Sequence, residues 1–450
     1  MRKVGSFTPT FFIGEWKNIL PGAEMKRNKD SRRAVINGLK VTIFLTSFFL
    51  WYGCEEEKGL PQQHERSPMA FVESSVGLPE TGQWRHGIDF FDMNQDGNLD
   101  ILAPPPRKTP LPVGKPTPWL WYGNGLGEWT QADIEVPANL PYDYGDVCGG
   151  DFDGDGIPDM ALAMHTVGVR VLRGKGQGKY EDFSQNLSNL NFRSRALVAE
   201  DFDGDGRLDI AANSEAPFHE KDSRPYGVAL LTDSSDGWRF RYIAEKNRVK
   251  GLFGDQITSG DVNGDGHPDI GSASLSALKN MVIWINDGKG SFTEFNRGLP
   301  QEIIFRNVAL SDLNGDGKDD LITTISGFGK KGSMGLKAYL TGDEGFEDFS
   351  DGLPVQMTYR CVAACDLDND GDTEIVGGTT DGEIKIYGLQ ERKWRELKTD
   401  GLSKGTVKDP YGLYCVDVNK DGYKDLAVNF SEYGTKNGGI KVFLNLSGEK

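Results

Sequence analysis

The sequence predicts an all-β protein that folds as a seven-bladed β-propeller with four-stranded blades. Three observations lead to this prediction. A nine-residue acidic pattern occurs seven times at intervals of 50 to 60 residues. The segments between the copies read as short strands joined by turns, without a sustained helical period. The start of the repeat region carries a strand pattern that is missing from the end of the chain, which indicates closure of a ring.

Composition narrows the classes of function. The 450 residues carry a formal net charge of −17, with 67 acidic residues against 50 Lys and Arg. Nucleic-acid binding relies on clustered Lys and Arg that neutralise phosphates, so we expect no nucleic-acid partner. The acidic residues are concentrated in the repeated pattern, which gives them a more specific explanation than a solvated surface.

The residues ahead of the repeats have the pattern of a leader. Residues 26–40 are basic, residues 41–53 form an uncharged, largely apolar run, and Cys54 follows directly. An apolar run of 13 residues is too short to cross a bilayer as a helix, which needs about 20. The pattern therefore predicts a secretory signal peptide over residues 1–53, with Met25 as the expected start and residues 1–24 as an extension.

Gly53 directly before Cys54 resembles the lipobox of bacterial lipoproteins, although Trp51 and Tyr52 depart from that pattern. The resemblance implies lipidation of Cys54 and an extracytoplasmic protein held at the cell envelope by its lipid anchor alone. Ordinary secretion is the alternative. Residues 54–66 are then the lipidated cysteine and a flexible tether, and the propeller covers residues 67–450.

The repeated pattern is D-x-[DN]-x-D-G-x-x-[DE], and the residues that follow its first and last acids are apolar in every copy. Each acidic loop is therefore expected to be fixed to a core at both ends. In the fifth unit, NVALS leads into the loop, LITTIS leaves it, and GLKAYL and FEDFS follow. That makes four strands per unit, and seven such units close radially into a propeller.

The two ends of the chain complement each other. The outer strand and its exit read FTEFNRGLP at 292–300 and FEDFSDGLP at 346–354, whereas the chain ends at IKVFLNLSGEK before any such strand. FVESSVGLP at 71–79 has the same register of Phe and GLP. The N-terminal segment is therefore predicted to supply the fourth strand of the last blade.

Each acidic loop offers hard oxygen ligands for one Ca²⁺. Side-chain oxygens stand at positions 1, 3, 5 and 9, a glycine at position 6 permits the sharp turn, and position 7 offers its backbone carbonyl. The predicted ligand sets, in loop order, are Asp92, Asn94, Asp96, Asn98 and Asp100; Asp151, Asp153, Asp155, Ile157 and Asp159; Asp201, Asp203, Asp205, Arg207 and Asp209; Asp261, Asn263, Asp265, His267 and Asp269; Asp312, Asn314, Asp316, Lys318 and Asp320; Asp366, Asp368, Asp370, Asp372 and Glu374; Asp417, Asn419, Asp421, Tyr423 and Asp425.

With these seven in-phase loops the chain resembles the FG-GAP/VCBS repeat family, whose propeller is also that of the integrin α-subunit heads. The EF-hand shares the first half of the loop pattern, but its Glu at position 12 is absent here and strands flank the loop. The predicted cofactor is Ca²⁺, with up to seven ions in a mainly structural role, because cations would offset the repulsion among the loop carboxylates. The resemblance leaves function open, since propellers host many unrelated activities.

Four cysteines lie within the predicted propeller. Cys361 and Cys365 fall on one predicted strand, about 13 Å apart at 3.3 Å per residue, and cannot bridge each other. We expect Cys148, Cys361, Cys365 and Cys415 to be buried free thiols, while other pairings stay open.

The face opposite the acidic loops is predicted to bind the partner. The segments that enter each first strand reach this face near the axis, and aromatic and Arg residues dominate binding hot spots. Two long connections, 104–118 and 214–227, extend to the same face. The candidate ligand-binding residues are Trp84, His86, Tyr144, Arg195, Asp255, Phe305, Arg306, Tyr359, Arg360 and Tyr411. The alternative for the arginines is pairing with Asp between blades.

These observations predict an extracytoplasmic propeller that binds a protein or glycan partner. The alternative function is a polysaccharide-degrading enzyme, a lyase or hydrolase, that uses the same face. The sequence shows no GxSxG elbow and no HExxH metal spacing, so binding is the expectation and no catalytic residue is assigned. The identity of the ligand and the oligomeric state stay open.

Overall fold

The structure is a computed structural model that describes residues 68–107, 118–138, 140, 145–165, 167–187, 192–214, 227–234, 236–243, 254–274, 281–300, 303–326, 335–432 and 434–449. Every described strand lies in one compact unit, Arg66–Lys450. The predicted leader and Cys54 lie outside the described residues. Among the described residues, no helix is long and apolar enough to cross a membrane.

The strands form seven blades, as predicted, and blades 1 to 6 are antiparallel sheets whose strands follow chain order from the inner to the outer strand. Blade 1 contains β2 (Asp89–Phe91), β3 (Asp100–Ala103), β4 (Trp119–Gly123) and β5 (Trp129–Gln131). Blade 2 contains β6 (Val147–Gly150), β7 (Asp159–Met164), β8 (Gly168–Gly174) and β9 (Tyr180–Asp182). Blade 3 contains β10 (Ser194–Glu200), β11 (Asp209–Ser214), β12 (Val228–Thr232) and β13 (Arg239–Tyr242). Blade 4 contains β14 (Gly254–Gly260), β15 (Asp269–Ser274), β16 (Met281–Asn286) and β17 (Phe292–Glu294).

The remaining blades follow the same order up to the last. Blade 5 contains β18 (Ile304–Ser311), β19 (Asp320–Ser326), β20 (Gly335–Gly342) and β21 (Gly345–Asp348). Blade 6 contains β22 (Tyr359–Cys365), β23 (Glu374–Thr379), β24 (Ile384–Gln390) and β25 (Lys393–Glu396). Blade 7 contains β27 (Pro410–Val416), β28 (Asp425–Ser431), β29 (Gly438–Asn445), β1 (Met69–Glu73) and β26 (Thr399–Asp400). A 3-10 turn, Ser447–Glu449, follows β29.

The hydrophobic core lies between neighbouring blades. Blade 3 contributes Ala211 and Phe202 to one buried cluster, and blade 4 contributes Ile270 and Trp284 to the same cluster. Because each sheet packs against another on both faces, the second strands are buried at nearly every described position rather than alternating, as in β7, β11, β23 and β28. Phe202, which follows the first Asp of its loop, is fully buried. The expectation that the acidic loops are fixed to the core is confirmed there.

The predicted closure by the N-terminal strand is confirmed. In β1, Phe71 pairs with Asn445 of β29 in antiparallel register, and Met69 and Phe71 are buried in the core. The short strand β26 adds a parallel pairing on the other side of β1, with Met69 opposite Thr399. This fifth strand was not predicted, since a two-residue strand leaves no periodic signal.

The cysteine prediction was wrong for two of the four residues. Cys365 and Cys415 form a disulfide, whereas Cys148 and Cys361 are buried free thiols. The two bonded cysteines lie near the ends of β22 and β27, the inner strands of neighbouring blades. Residues about one repeat apart meet there, at a sequence separation of 50 and with 6.4 Å between their Cα atoms.

Candidate functional site

All seven acidic loops share one backbone turn. Each loop begins directly after an inner strand and ends on the first residue of the second strand. In every loop the N–H of the position-6 glycine donates to Oδ2 of the position-1 Asp, at 2.7 to 3.0 Å. These glycines have φ between 81° and 91°, a left-handed conformation that other residues adopt at a cost. The predicted role of this glycine is confirmed.

The acid at position 9 fixes the loop to its blade. Asp159 is fully buried; its Oδ2 accepts the Phe152 N–H at 2.9 Å and its Oδ1 accepts the Gly174 N–H at 2.7 Å. Burial raises the pKa of Asp159 to about 7, and the charges of Asp153 and Asp151 also raise it. The corresponding acids of four other loops make the same two bonds, namely Asp100, Asp269, Asp320 and Asp425. The ligand prediction did not include this structural role.

Two kinds of loop differ at position 3. Where Asp stands there, oxygens of positions 1, 3 and 9 lie within 4.8 Å of one another and could hold a metal ion; these groups are Asp151, Asp153 and Asp159; Asp201, Asp203 and Asp209; and Asp366, Asp368 and Glu374. Where Asn stands there, its amide nitrogen donates to Oδ2 of the position-5 Asp at 2.9 to 3.1 Å. In the Asn loops, therefore, an amide N–H offsets part of the acidic charge.

The three Asp loops fit a hard divalent cation. Their donors are carboxylate oxygens, which Ca²⁺ prefers. Oδ1 of Asp203 and Oδ1 of Asp366 are buried and accept no hydrogen bond in the described structure. Burial raises the pKa of Asp209 to about 7 and so favours its protonated form. A cation bound at these oxygens would act in the opposite direction and favour the ionised carboxylates. In the second loop Arg173 already contacts Asp153, so that loop holds one positive charge of its own.

The opposite ends of the inner strands carry β-bulges. In blades 3 to 7 the register of the inner strand shifts by one residue near its start, and the extra residue is the one six positions ahead of the acidic pattern: Arg195, Asp255, Arg306, Arg360 and Tyr411. Bulges re-aim side chains and are common beside functional sites. The sequence located these positions by repeat spacing, but the bulge is visible only in the strand pairing.

Four of the five bulge residues, Arg195, Arg306, Arg360 and Tyr411, line one cavity of about 190 Å³. Its lining residues are Arg85, His86, Arg107, Arg195, Gln256, Arg306, Asn307, Arg360, Pro410 and Tyr411. The predicted His86, Arg195, Arg306, Arg360 and Tyr411 are thus brought together. Among the lining residues that the structure describes, five of ten are Arg and none is acidic. A second cavity, of about 290 Å³, shares Arg85, His86 and Tyr411 and continues along the inner strands.

Arg360 has the inter-blade partner that the alternative predicted. Its Nε lies 2.6 Å from Oδ1 of Asp409, and its Nη2 donates to Oδ2 of Asp409 at 3.1 Å and to the Tyr411 hydroxyl at 2.7 Å. The guanidinium lies 4.7 Å from the Tyr411 ring centroid, and that of Arg85 lies 5.3 Å from it. Arg360 therefore joins blades 6 and 7 as well as lining the cavity.

The cavity is electropositive at His86. Burial lowers the pKa of His86 well below 6.5, and the charges of Arg195, Arg107, His165 and Arg85 lower it further. The imidazole is consequently neutral near pH 7, with Nδ1 3.9 Å from Oδ1 of Asp146.

Three predicted aromatic ligand residues are core residues instead. Trp84, Phe305 and Tyr359 are each 1% exposed. Trp84 packs against Trp119 and Trp121, and the Tyr359 hydroxyl lies 2.6 Å from that of Tyr387. Each of the three directly precedes an arginine that lines the cavity, but its own side chain packs between blades. Those three assignments were wrong.

Tyr144 lies outside the described residues, and of Asp255 the structure describes the backbone but not the side chain. Sequence reasoning left Arg85 and Arg107 off the candidate list, and both line the cavity. The position of Arg85 directly before the predicted His86 could have identified it. Arg107 lies in the 104–118 connection, which was expected to reach this face. Six residues separate each bulge from its acidic loop, so the two kinds of site lie about 20 Å apart along the strand.

Comparisons with known proteins agree with this architecture. The family model described as FG-GAP-like repeat matches residues 151–212, 261–323 and 336–428. Cartilage acidic protein 1 of Xenopus tropicalis is 20% identical over 413 residues, which cover 83% of this chain and 59% of that protein. The crystal structure of the BP39L lectin from Burkholderia pseudomallei superposes with a TM-score of 0.56 and 14% identity, over 81% of this chain and 96% of the lectin chain. At that identity the likeness concerns the fold alone.

These matches fall on the acidic loops and the strands that flank them, and the loops recur in phase with the seven blades. The chain is a seven-bladed β-propeller built from FG-GAP-like repeats.

Proposed function

We propose that this protein is a calcium-stabilised extracytoplasmic binding protein whose partner is an acidic glycan. The glycan docks at the end of the ring opposite the acidic loops. The observation that carries the proposal is the cavity whose described lining residues include five arginines and no acidic residue, in a chain of net charge −17. Guanidinium groups pair with carboxylate and sulfate oxygens through charge-assisted hydrogen bonds.

A glycan is favoured over a protein partner by the shape and composition of the site. Protein interfaces depend on large aromatic anchors, and the candidate anchors Trp84, Phe305 and Tyr359 are buried in the core. What remains is a cavity with polar side chains, which suits hydroxylated and charged groups. No observation on the described residues favours the polysaccharide-degrading alternative, since the cavity lining offers no carboxylate pair of the kind that glycoside hydrolysis uses.

A glycan array tests this proposal. The wild-type protein should bind uronate-containing or sulfated glycans and not their neutral counterparts. The Arg195→Gln/Arg306→Gln variant should lose that binding, while Arg395→Gln, an exposed arginine on β25, should retain it. Arg360 is left unchanged because its pair with Asp409 joins two blades. Binding of an acidic protein in place of any glycan, or binding that both variants retain equally, contradicts the proposal.

The cofactor proposal concerns Ca²⁺ at the acidic loops. The Asp loops at Asp151, Asp201 and Asp366 are the sites with the strongest support, because their carboxylates converge. The bound ion would neutralise clustered carboxylates and link the end of an inner strand to the start of the second strand. The four Asn loops bring the possible number to seven.

Removing calcium should therefore lower the melting temperature. We expect a fall of several degrees in excess chelator, with recovery on adding Ca²⁺, because the converging carboxylates would then repel one another. Asp203→Asn should reduce the calcium-dependent part of the melting temperature, since Asp203 contributes a buried oxygen without a hydrogen bond. Asp133→Asn, an exposed residue outside the loops, is the control. An identical melt with and without chelator would refute the role of calcium.

An extracytoplasmic location is part of the proposal. The Cys365–Cys415 disulfide supports it, because disulfides persist in oxidising compartments and are rare in the cytosol. The basic and apolar segments ahead of Cys54 support it independently. Mass spectrometry of the mature N-terminus is the test: a diacylated Cys54 supports the anchor, and an uncleaved chain opposes both anchor and secretion.

A further inference from the structure

We propose that the arginine-lined cavity is the subsite for one carboxylated sugar ring, a uronate, within the acidic glycan. This inference rests on the proposed function and specifies the group that the cavity receives.

The cationic groups of the cavity select for a planar oxyanion. The five charged side chains in its described lining are all guanidiniums, and none of the described lining residues is a lysine. A guanidinium presents its N–H groups in a fixed plane that matches a carboxylate bidentately, whereas an ammonium acts as a point charge. The five come from different parts of the ring: Arg195, Arg306 and Arg360 from bulges of blades 3, 5 and 6, and Arg85 and Arg107 from segments beside β2 and β3. Such convergence needs the closed ring.

The electrostatics of the lining agree with an anionic ligand. Burial together with the charges of Arg195, Arg107, His165 and Arg85 lowers the pKa of His86 well below 6.5. The field at this point of the cavity is therefore positive even though acidic residues outnumber basic ones in the chain. An anion placed there is favoured by the same field that disfavours a protonated imidazole.

The size of the cavity selects for a ring rather than a bare ion. Its volume of about 190 Å³ compares with cavities of about 150 Å³ that hold a benzene ring. A free carboxylate or sulfate would leave most of this space unfilled. A six-membered sugar ring with one carboxylate fills it.

Neutral polar groups in the lining suit the hydroxyls of such a ring. Gln256 and Asn307 lie beside the arginines, and Asn307 uses its Oδ1 to accept the Val362 N–H. The Tyr411 hydroxyl accepts a hydrogen bond from Arg360 and can donate its own hydrogen to a sugar oxygen. The cavity thus pairs charge recognition with hydroxyl recognition.

Isothermal titration with three small probes tests the inference. Glucuronate should bind the wild-type protein with a measurable Kd at millimolar concentration. Glucose, which has the ring without the carboxylate, and inorganic sulfate, which has the charge without the ring, should each bind at least about tenfold more weakly. Equal binding of glucose and glucuronate would overturn the charge recognition, and equal binding of sulfate and glucuronate would overturn the ring recognition.

Variants test whether glucuronate binds at this cavity. Arg306→Lys keeps the charge but loses the planar fork, and should weaken glucuronate binding by about tenfold or more. Arg195→Gln/Arg306→Gln should abolish it, and Arg395→Gln should leave it unchanged. A thermal melt near that of the wild type shows that each variant is folded. If the double variant does not fold, the single Arg306→Lys variant decides, and unchanged glucuronate affinity in that variant refutes the assignment.

Failure of this inference is distinguishable from failure of the proposed function. If acidic glycans bind the array through Arg195 and Arg306 but glucuronate does not bind, the uronate subsite is wrong and the glycan-binding function stands. If no acidic glycan binds, both are wrong.

Discussion

At the level of single residues, the acidic loops show how a folded protein accommodates clustered aspartates. Backbone N–H groups donate hydrogen bonds to the carboxylates at positions 1 and 9, as Gly156 does to Asp151 and Phe152 does to Asp159, and these bonds do not depend on a cation. Hydrogen bonds to ionised groups are stronger than neutral ones. The repeated acids are therefore turn-forming residues as well as candidate metal ligands.

The glycine at position 6 should be required for its backbone conformation alone. Gly156 has φ of 81°, and an added Cβ would meet nothing within 4 Å. Gly156→Ala should therefore lower the free energy of unfolding by about 1–2 kcal/mol, through the left-handed backbone rather than a clash. The control is Gly342→Ala, where φ is not left-handed and the nearest contact is 3.4 Å. Denaturant unfolding measures both, and equal losses would contradict this account.

His86 should make stability depend on pH. Burial and the neighbouring arginines lower the pKa of His86 in the folded state below 6.5. The stability that this contributes is therefore fully present above about pH 6.5, where the imidazole is neutral in the folded and the unfolded chain. That stability is lost as the pH falls through the unfolded pKa toward the folded one. The facing groups are Arg85, Arg107, Arg195, His165 and Asp146.

Between about pH 7 and pH 5, we expect the melting temperature of the wild type to fall relative to that of His86→Gln, because only the wild type carries the buried imidazole. His267→Gln, an exposed histidine, should leave it unchanged. A pH profile that is the same for the wild type and His86→Gln would contradict the assignment.

At the level of elements, the inner strands of blades 3 to 7 have a different role at each end. One end enters an acidic loop that holds the blade together, and the other end carries a bulge, whose residue lines the axial cavity in blades 3, 5, 6 and 7. Three non-glycine residues at loop position 4 reach the next loop around the ring, as Asn369 does by donating to the Gly422 carbonyl at 2.9 Å. Variation at the bulge therefore leaves the loop chemistry intact.

The disulfide between the inner strands of blades 6 and 7 should stabilise the ring near its closure. Cys365→Ser/Cys415→Ser should lower the free energy of unfolding by about 3–4 kcal/mol, as expected for a bridge that spans 50 residues. A reductant should destabilise the wild type by a similar amount and have no effect on the double variant, which is the matched control. A reductant effect that persists in the variant would point to a different cause.

At the scale of the whole molecule, closure of the ring depends on β1. This strand joins β29 on one side and β26 on the other, and it buries Met69 and Phe71. Without β1, blade 7 would present an unpaired edge, which is prone to aggregation.

Deletion of residues 67–80 should therefore cause aggregation or loss of cooperative unfolding, whereas deletion of residues 55–66 should have no effect on stability. Size-exclusion chromatography and a thermal melt measure both variants. A monomeric, cooperatively melting protein after the longer deletion would disprove the role of β1.

The sequence alone determined the blade number, the closure and the acidic loops. Those features depend on local patterns: the position-6 glycine, the apolar residues that flank each loop, and the strand period around Phe71. It also placed Arg195, Arg306 and Arg360 correctly, because equivalent repeat positions share one place in a ring.

Features that depend on contacts between blades were visible only in the folded structure. It paired Cys365 with Cys415, buried Trp84, Phe305 and Tyr359, and brought Arg85 and Arg107 into the cavity. A bulge of one residue decides which of two neighbours faces the axis, and that shift arises from strand pairing rather than from the identity of either residue. Repeat spacing fixes where a residue lies around the ring, whereas the direction of its side chain is set by the backbone of its own blade and the packing of the next.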